Sequence, residues 1–521
     1  MTRPPKATVP QKIERSSAIL FGATLLSRIS GFLRSMVLAY AFGTSAGTDA
    51  WIMASALPNL LFGAVNTSIT MTTVPVMTDA DAIFSPSSVA DLLDQVWSGL
   101  LLLSLVLVVG GELTAPWLMA LLAPGFHGHQ LQRTVLMTRI MIPTMVFWGT
   151  AGLMVGVLQA RDVYAGPALS PLVVNLVQIA GILLLRHWFH IEGVAIGFTV
   201  AVACQVVWLR PLLARQNIRL KWQWPWNHPL ARRLISLMWP FFLVSSASSV
   251  EMIIDRILAS SMVVGSISAM NFSYTLSQVP MGLLIAPLTT PIFTRLSRHH
   301  ARARDMEFSR LATRGLRLIL LTVVPLAIGF FAFRVPILRI IYEHGAFSQR
   351  SLTMTSRTLA FFALGMPAVA LTAYFQQLSF ARQKTKDPAR YSVAAISLNI
   401  VGNFALTPSL AVSGLVLATT LASWLNCILL WRHFPLVGIG GLALRIALAA
   451  TAMSGVSWLQ LHVSHLDTMV GFFPVTLVMA LAATLSSATY AGVLWLFQVP
   501  EVSAGKRLAI RVMRRTWRLV A

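Results

Sequence analysis

The chain has 521 residues, 56% of them hydrophobic and only 11% charged, with a mean hydropathy of +0.72. A soluble protein carries about twice that share of charge, which excludes a water-dissolved globular enzyme. The net charge of +23 gathers in clusters at the ends of apolar stretches rather than along one polar surface, so it points to a membrane surface and not to nucleic acid.

A helix of about 20 apolar residues crosses roughly 30 Å of hydrocarbon. Fourteen such stretches are predicted as membrane helices: Ser16–Ala41, Ala50–Thr73, Val96–Leu122, Thr134–Gln159, Val163–Leu185, Ile191–Leu213, Leu234–Asp255, Val263–Thr290, Gly315–Ile341, Thr358–Phe380, Tyr391–Pro408, Ala411–Trp431, Gly441–Leu461 and Val470–Phe497. A tail, residues 1–15, precedes them and carries Arg3, Lys6, Lys12 and Arg15. With that tail inside, most of the 40 Lys and Arg fall on the cytoplasmic side, in further clusters at Arg210–Arg233, Arg295–Arg317, Arg382–Arg390 and Lys506–Arg518. Basic loops stay inside, so both termini are expected in the cytoplasm. The connection Thr78–Asp94 is expected there too, although it holds Asp79, Asp81, Asp91 and Asp94 and no basic residue. Carboxylates contribute little to orientation.

The first span contains Ser27-Arg28-Ile29-Ser30-Gly31-Phe32-Leu33-Arg34. Arg28 lies about 18 Å along the helix from Ser16, near mid-depth, and Arg34 about 9 Å further on, on a face turned roughly 120° away. A guanidinium in hydrocarbon is costly and faces a wet cavity or a partner. Reaching back to the interface suits Arg34 but not Arg28. The planar fork matches two phosphate oxygens, so the residues predict an anionic, phosphate-bearing cargo.

Asp49 stands at the outer mouth of the second span, either capping that helix or contacting an arginine as a gate. Glu112 and Arg139, in the third and fourth spans, are read as a structural pair. In the seventh span Glu251 and Asp255 share one face, with Arg256 beside them. Asn399 and Asn403 repeat that spacing in the eleventh span, and Thr419 follows in the twelfth. Two readings stay open: a coupling site, with these oxygens holding Na+ or Glu251 carrying H+, or an Arg256 ion pair with asparagines tying helices together. Cys204 and Cys427 lack metal-type spacing, and His127, His129, His299 and His300 lie in loops without it. No phosphate-binding Gly-Lys-Ser/Thr loop is present, so no cofactor is expected beyond a coupling ion and the membrane potential.

Gly193–Gln205 matches Gly414–Asn426 position by position: Gly193 with Gly414, Thr199 with Thr420, Ala201 with Ala422 and Gln205 with Asn426. Each stretch follows a span opening with Pro-Ala, and the same offset of roughly 221 residues carries the first span onto the seventh. The expected fold is an all-α integral membrane protein. Two six-helix lobes, 16–220 and 221–435, are related by a pseudo-two-fold along the membrane normal, followed by two further helices (436–498) and a basic tail (499–521). In transporters built from such parallel repeats the substrate site lies between the halves near mid-depth.

Ser27–Arg34, Phe42-Gly43, Thr48-Asp49-Ala50 and Leu57-Pro58-Asn59-Leu60-Leu61 resemble the opening of the MurJ/MviN proteins, the lipid II flippases of bacterial cell-wall synthesis. Ala115-Pro116-Trp117, Ala123-Pro124-Gly125-Phe126, Pro167-Ala168 with Pro171 and Asn175, Ile254-Asp255 with Ala259-Ser260, Tyr342–Phe347 and Ala381–Thr385 carry the resemblance through both halves. It implies the multidrug/oligosaccharidyl-lipid/polysaccharide (MOP) exporter fold, with helices thirteen and fourteen forming a groove for a lipid tail. It also implies a polyprenyl-pyrophosphate-linked glycan as substrate, with Arg28, Arg34, Asp49 and Asn59 as its ligands. Membrane lipids and cell-wall synthesis proteins are the implied partners, and the bacterial cytoplasmic membrane the implied location. Phe62 and Thr275 stand where the family carries arginines, leaving the cavity less cationic. Some relatives hold sodium on helices seven, eleven and twelve, and Asn403 replaces an acid expected there.

The expected function is translocation of lipid II by alternating access without ATP hydrolysis. A second reading is export of another polyprenyl-linked oligosaccharide or exopolysaccharide unit. A membrane-embedded glycosyltransferase would need an acid, base or metal cluster at one membrane face, and a non-transporting scaffold would not need Arg28.

Overall fold

The computed structural model describes residues 9–224, 229–285, 292, 296, 305–382, 386–434, 440–466, 468–469 and 471–501. Among these residues the regular structure is helical, with no strand. Lipid offers no partner to a free N–H or C=O, and a helix satisfies both within one segment. The tails, most of the basic stretch Arg295–Arg304, His299, His300 and Lys384 lie outside the described residues.

The first compact unit comprises Met1–Ser268 with Gly345–Ser348. Its helices are α1 (Val9–Phe42), α2 (Ala46–Ala54), α3 (Ala56–Ile83), α4 (Pro86–Leu122), α5 (Gly128–Met141), α6 (Thr144–Ala160), α7 (Ala165–Phe189), α8 (Glu192–Ala214) and α9 (Pro229–Ser260), and it takes in the start of α10 (Ser266–Pro280). The second unit comprises Ala269–His344 and Gln349–Ala521. It holds the rest of α10 and the π-helical turn Met281–Ile285, then α11 (Asp305–Ala332), α12 (Arg334–Tyr342), α13 (Gln349–Ala381), α14 (Lys386–Leu410), α15 (Val412–Trp431), α16 (Gly440–Ser464) and α17 (Phe472–Leu496).

Among the described residues, twelve helical segments are long and apolar enough to cross a membrane. The other two expected spans, Leu234–Asp255 and Val263–Thr290, correspond to α9 and to α10 with its π-helical turn, where the description is incomplete. Lipid-facing stripes are plain on the outer helices. Leu113, Trp117 and Leu121 recur every fourth residue on α4, and Phe473, Leu477, Leu481 and Leu485 do so on α17, all exposed.

Three expected spans are broken. The ring of Pro58 would meet the Ala54 carbonyl four residues back, and α2 gives way to α3 at Ser55. Pro336 has the same relation to Ala332, and α11 ends there with α12 starting after Phe333. Pro143 separates α5 from α6.

The acidic connection Thr78–Asp94 is nearly all helix, the end of α3 and the start of α4 meeting at Phe84 and Ser85. Its carboxylates bind neighbouring segments: Asp81 pairs with Arg161 at 2.7 Å, Asp79 with Arg233 at 2.9 Å, and Asp94 accepts the Lys221 N–H at 2.7 Å. An acidic segment on the basic side therefore serves as counter-charge to it.

The 221-residue repeat reappears in packing. Thr199 donates to the Ile140 carbonyl at 2.7 Å, and Thr420 to that of Phe361 at 2.9 Å. Gly181 abuts Gly197 between α7 and α8, and Gly402 abuts Ala418 between α14 and α15. The helix-breaking residues His190 and Ala411 share φ near 50° and ψ near −130°. All these pairs differ by the same offset, so the two helical hairpins are copies in three dimensions. Compactness divides the chain elsewhere: α9, expected to open the second half after residue 220, packs in the first unit, where Leu234 joins Val76, Leu93, Leu158 and Leu213.

Candidate functional site

The centre of α1 is seated on α7 by polar contacts. Asn175 donates its amide to the Ser27 carbonyl at 3.1 Å and the Ser30 hydroxyl at 2.9 Å, beside Gly31, which has no side chain to obstruct it. Residues 27, 30, 31 and 34 lie on one helical face, so Arg34 turns to α7 as well. Its guanidinium donates to Gln178 Oε1 at 3.0 Å, and Gln178 is fully buried with no partner for Nε2. Arg28 leaves that face. It is exposed and has no hydrogen-bond or ion-pair partner among the described residues, while Arg34 is half-buried. The two arginines thus do not converge on a common protein partner; one is anchored and the other is free.

Asp49 neither caps its own helix nor meets an arginine among the described residues. Ser45 caps α2, accepting the Thr48 N–H at 3.2 Å. The Asp49 carboxylate is buried and accepts the Gly265 N–H at 2.6 Å, the Ser268 N–H at 2.8 Å and the Ser268 hydroxyl at 2.7 Å. It closes the N-terminus of α10, where free N–H groups favour a negative charge. Around it the neighbouring turns are clamped backbone to backbone. Ala346 N–H donates to the Tyr40 carbonyl at 2.9 Å, and Gly43, at φ +57°, lies against the Ala346 carbonyl where a Cβ would not fit.

Asn59 donates its amide to the Ser55 carbonyl at 2.7 Å, supporting the break ahead of Pro58; the residue itself is exposed. Glu112 and Arg139 approach to 3.7 Å, as expected of a structural pair. Glu251 on α9 is half-buried and without a hydrogen-bond partner among the described residues; Asp255 and Arg256 beside it are buried, and Arg256 reaches the Ile52 carbonyl at 3.4 Å.

Asn399, Asn403 and Thr419 belong to the second unit, and Glu251 and Asp255 to the first. They bind one another: Asn399 donates to Thr419 at 3.0 Å and accepts from Asn403 at 3.0 Å. This neutral, mutually engaged set ties α14 to α15. It contains no carboxylate.

The second unit also contains a cavity of about 1040 Å³ between α11, α13, α15 and α16. Of the last two helices only α16 lines it; no α17 residue does. Sequence reading missed this cavity and Gln178. Gln178 carries one usable signal, a second amide on an apolar span, three residues after Asn175.

Comparison with known proteins agrees with this architecture. The family described as lipid II flippase MurJ matches residues 38–479. The chain belongs to the MurJ family. It is 26% identical over 510 residues to the lipid II flippase MurJ of Burkholderia cenocepacia, covering 92% of this chain and 96% of that protein. Among solved structures it resembles a lipid II flippase MurJ in an inward closed conformation, with a TM-score of 0.76, 23% identity, and 91% and 99% of the two chains covered. An inward-facing MATE family transporter of the MOP superfamily matches at a TM-score of 0.61 and 12% identity, over 79% of this chain and 94% of that one. The fold is therefore the MOP exporter fold, and the chain is a multi-pass membrane protein of a flippase family. Within that family the replaced arginine positions acquire a structural context. Thr275 spends its hydroxyl on the Asn271 carbonyl at 2.8 Å, and Phe62 lies in α3 with its side chain outside the described part.

Proposed function

We propose that the chain translocates lipid II across the bacterial cytoplasmic membrane by alternating access. The observation that carries the reading is Arg28, an exposed guanidinium in the middle of an apolar helix with no partner among the described residues. A cation so placed is costly unless an anion or water meets it, and a pyrophosphate accepts the two parallel N–H groups it offers. Arg34, held by Gln178, supplies a second cation of fixed orientation. The substrate site is proposed around Arg28, near mid-depth.

The isoprenoid tail stays in lipid while the head group crosses. Opening to the outer side requires the clamp around Tyr40, Gly43, Asp49 and Ala346 to release, and binding energy from the head group acts against it. The chain acts as a transporter rather than an enzyme. A coupling ion, Na+ or a proton on Glu251, or the membrane potential acting on the two arginines at about 2.3 kcal/mol per charge per 100 mV, resets the cycle. Both termini lie in the cytoplasm, and the enzymes that make and polymerise lipid II are the expected neighbours.

Purified protein should bind lipid II in preference to the same glycan on a neutral lipid, and Arg28→Ala should lose about tenfold or more in affinity, as expected for a charge-assisted pair. Equal binding by a well-folded Arg28→Ala variant would remove Arg28 from the site. Export of a different polyprenyl-linked glycan is favoured by Thr275, which contributes no cation. Tighter binding of such a glycan than of lipid II would select that reading.

A further inference from the structure

We infer that the cavity of the second unit is a binding site for an anionic glycerophospholipid of the outer leaflet, its phosphate held by Arg334 and its acyl chain lying along α16. The inference stands on that cavity alone and does not depend on which glycan is translocated.

The walls are apolar, with Val324 and Ile328 of α11, Leu364 of α13 and Trp424 of α15. Along α16, Ala450, Ser454, Trp458 and His462 recur every fourth residue and so face the cavity together. The small residues come first; the tilted rings of Trp458 and His462, 4.3 Å between centroids, follow. From Ala450 to His465 the helix rises about 22 Å, more than the roughly 15 Å half-thickness of the hydrocarbon. The trough therefore runs from mid-depth to one membrane surface. That surface is at the opposite end of α11 from Arg310, Arg314 and Arg317, hence outside by the positive-inside rule.

The polar end is built from Arg334, His462, His465 and Thr468. Arg334 spends one N–H on the Phe331 carbonyl at 2.7 Å and lies 5.3 Å over the Phe331 ring. It has no carboxylate within ion-pair distance among the described residues, and Asp467 in the neighbouring turn lies outside them. The turn is fixed beside it: Arg339, on the same helix α12, pairs with Glu343 at 2.6 Å and donates to the Met469 carbonyl at 2.6 Å. A guanidinium with spare N–H groups at the mouth of an apolar trough one leaflet long matches a phosphate head on an acyl chain. A polyprenyl tail exceeds that length, so the translocated substrate is the poorer fit.

The test is native mass spectrometry of the full chain, titrated with phosphatidylglycerol and with phosphatidylcholine of identical chains. The protein should retain phosphatidylglycerol about tenfold more strongly. Arg334→Gln should abolish the preference, and Arg334→Lys should keep part of it. Ser454→Trp should lose bound lipid with the charge intact. Arg350→Gln, removing an exposed arginine outside the trough, should change nothing. An unchanged preference in Arg334→Gln overturns the proposal. So does displacement of the lipid by glycerol phosphate, which would make this a site for a soluble anion, or by an equal amount of undecaprenyl phosphate, which would give it to the polyprenyl carrier.

Discussion

Asp49 and Gln178 show how much a single buried side chain decides here. Asp49 offers two oxygens to three donors from the start of α10. Asp49→Asn leaves one acceptor facing them and turns an amide N–H towards other N–H groups. The junction should weaken by about 1–3 kcal/mol, seen as faster amide exchange at Gly265 and Ser268. Unchanged protection there would mean that the carboxylate is dispensable. Gln178→Leu removes the acceptor that orients Arg34. Affinity for lipid II should fall about three- to tenfold, with membrane insertion and thermal stability preserved. A fall in stability with full affinity would instead make Gln178 a packing residue. Arg28 was legible in the sequence because a lone cation in an apolar run is conspicuous. The partner of Asp49 was not, since its donors are 216 and 219 residues away and nothing local marks them.

At the scale of elements, the two copied hairpins are held by backbone approach rather than by large side chains. A Cβ on Gly181 would lie 2.8 Å from the Gly197 Cα, and one on Gly402 would lie 3.0 Å from the Ala418 Cβ. The second hairpin thus already accommodates one methyl and the first accommodates none. Gly181→Leu should destabilise the protein by at least the 1–3 kcal/mol typical of overpacking, and Ala418→Gly should cost less; thermal unfolding in detergent separates the two. Equal losses would mean that the hairpins are not spaced by these residues. Apolar length placed the spans along the chain, because in lipid a helix is the economical way to satisfy the backbone. It hid the breaks at Ser55 and Phe333, since averaging over 20 residues weighs a proline no more than any other residue. The prolines themselves, Pro58 and Pro336, were the readable signal.

For the whole molecule, the repeat marks ancestry and the compact units mark packing, and they part company over residues 221–268. The letters Gly193–Gln205 and Gly414–Asn426 could reveal the first; only coordinates reveal that α9 packs on the core of the first unit. The backbone clamp at Tyr40 and Ala346 belongs to this scale because the proposed cycle opens it. With Cys204 and Cys427 replaced by serine, cysteines at Tyr40 and Ala346, whose backbones are hydrogen-bonded at 2.9 Å, can be joined by a bifunctional thiol cross-linker or a disulfide. Oxidation should stop transport and a reductant should restore it; undiminished transport by the cross-linked form would show that this clamp never opens. The most direct measurement is lipid II reaching the outer leaflet of bacteria depleted of their own flippase and supplied with this chain. The wild-type chain should restore outer-leaflet lipid II and growth, and Arg28→Ala, equally well inserted, should not. Well-inserted wild-type protein that leaves lipid II on the inner leaflet would contradict the account.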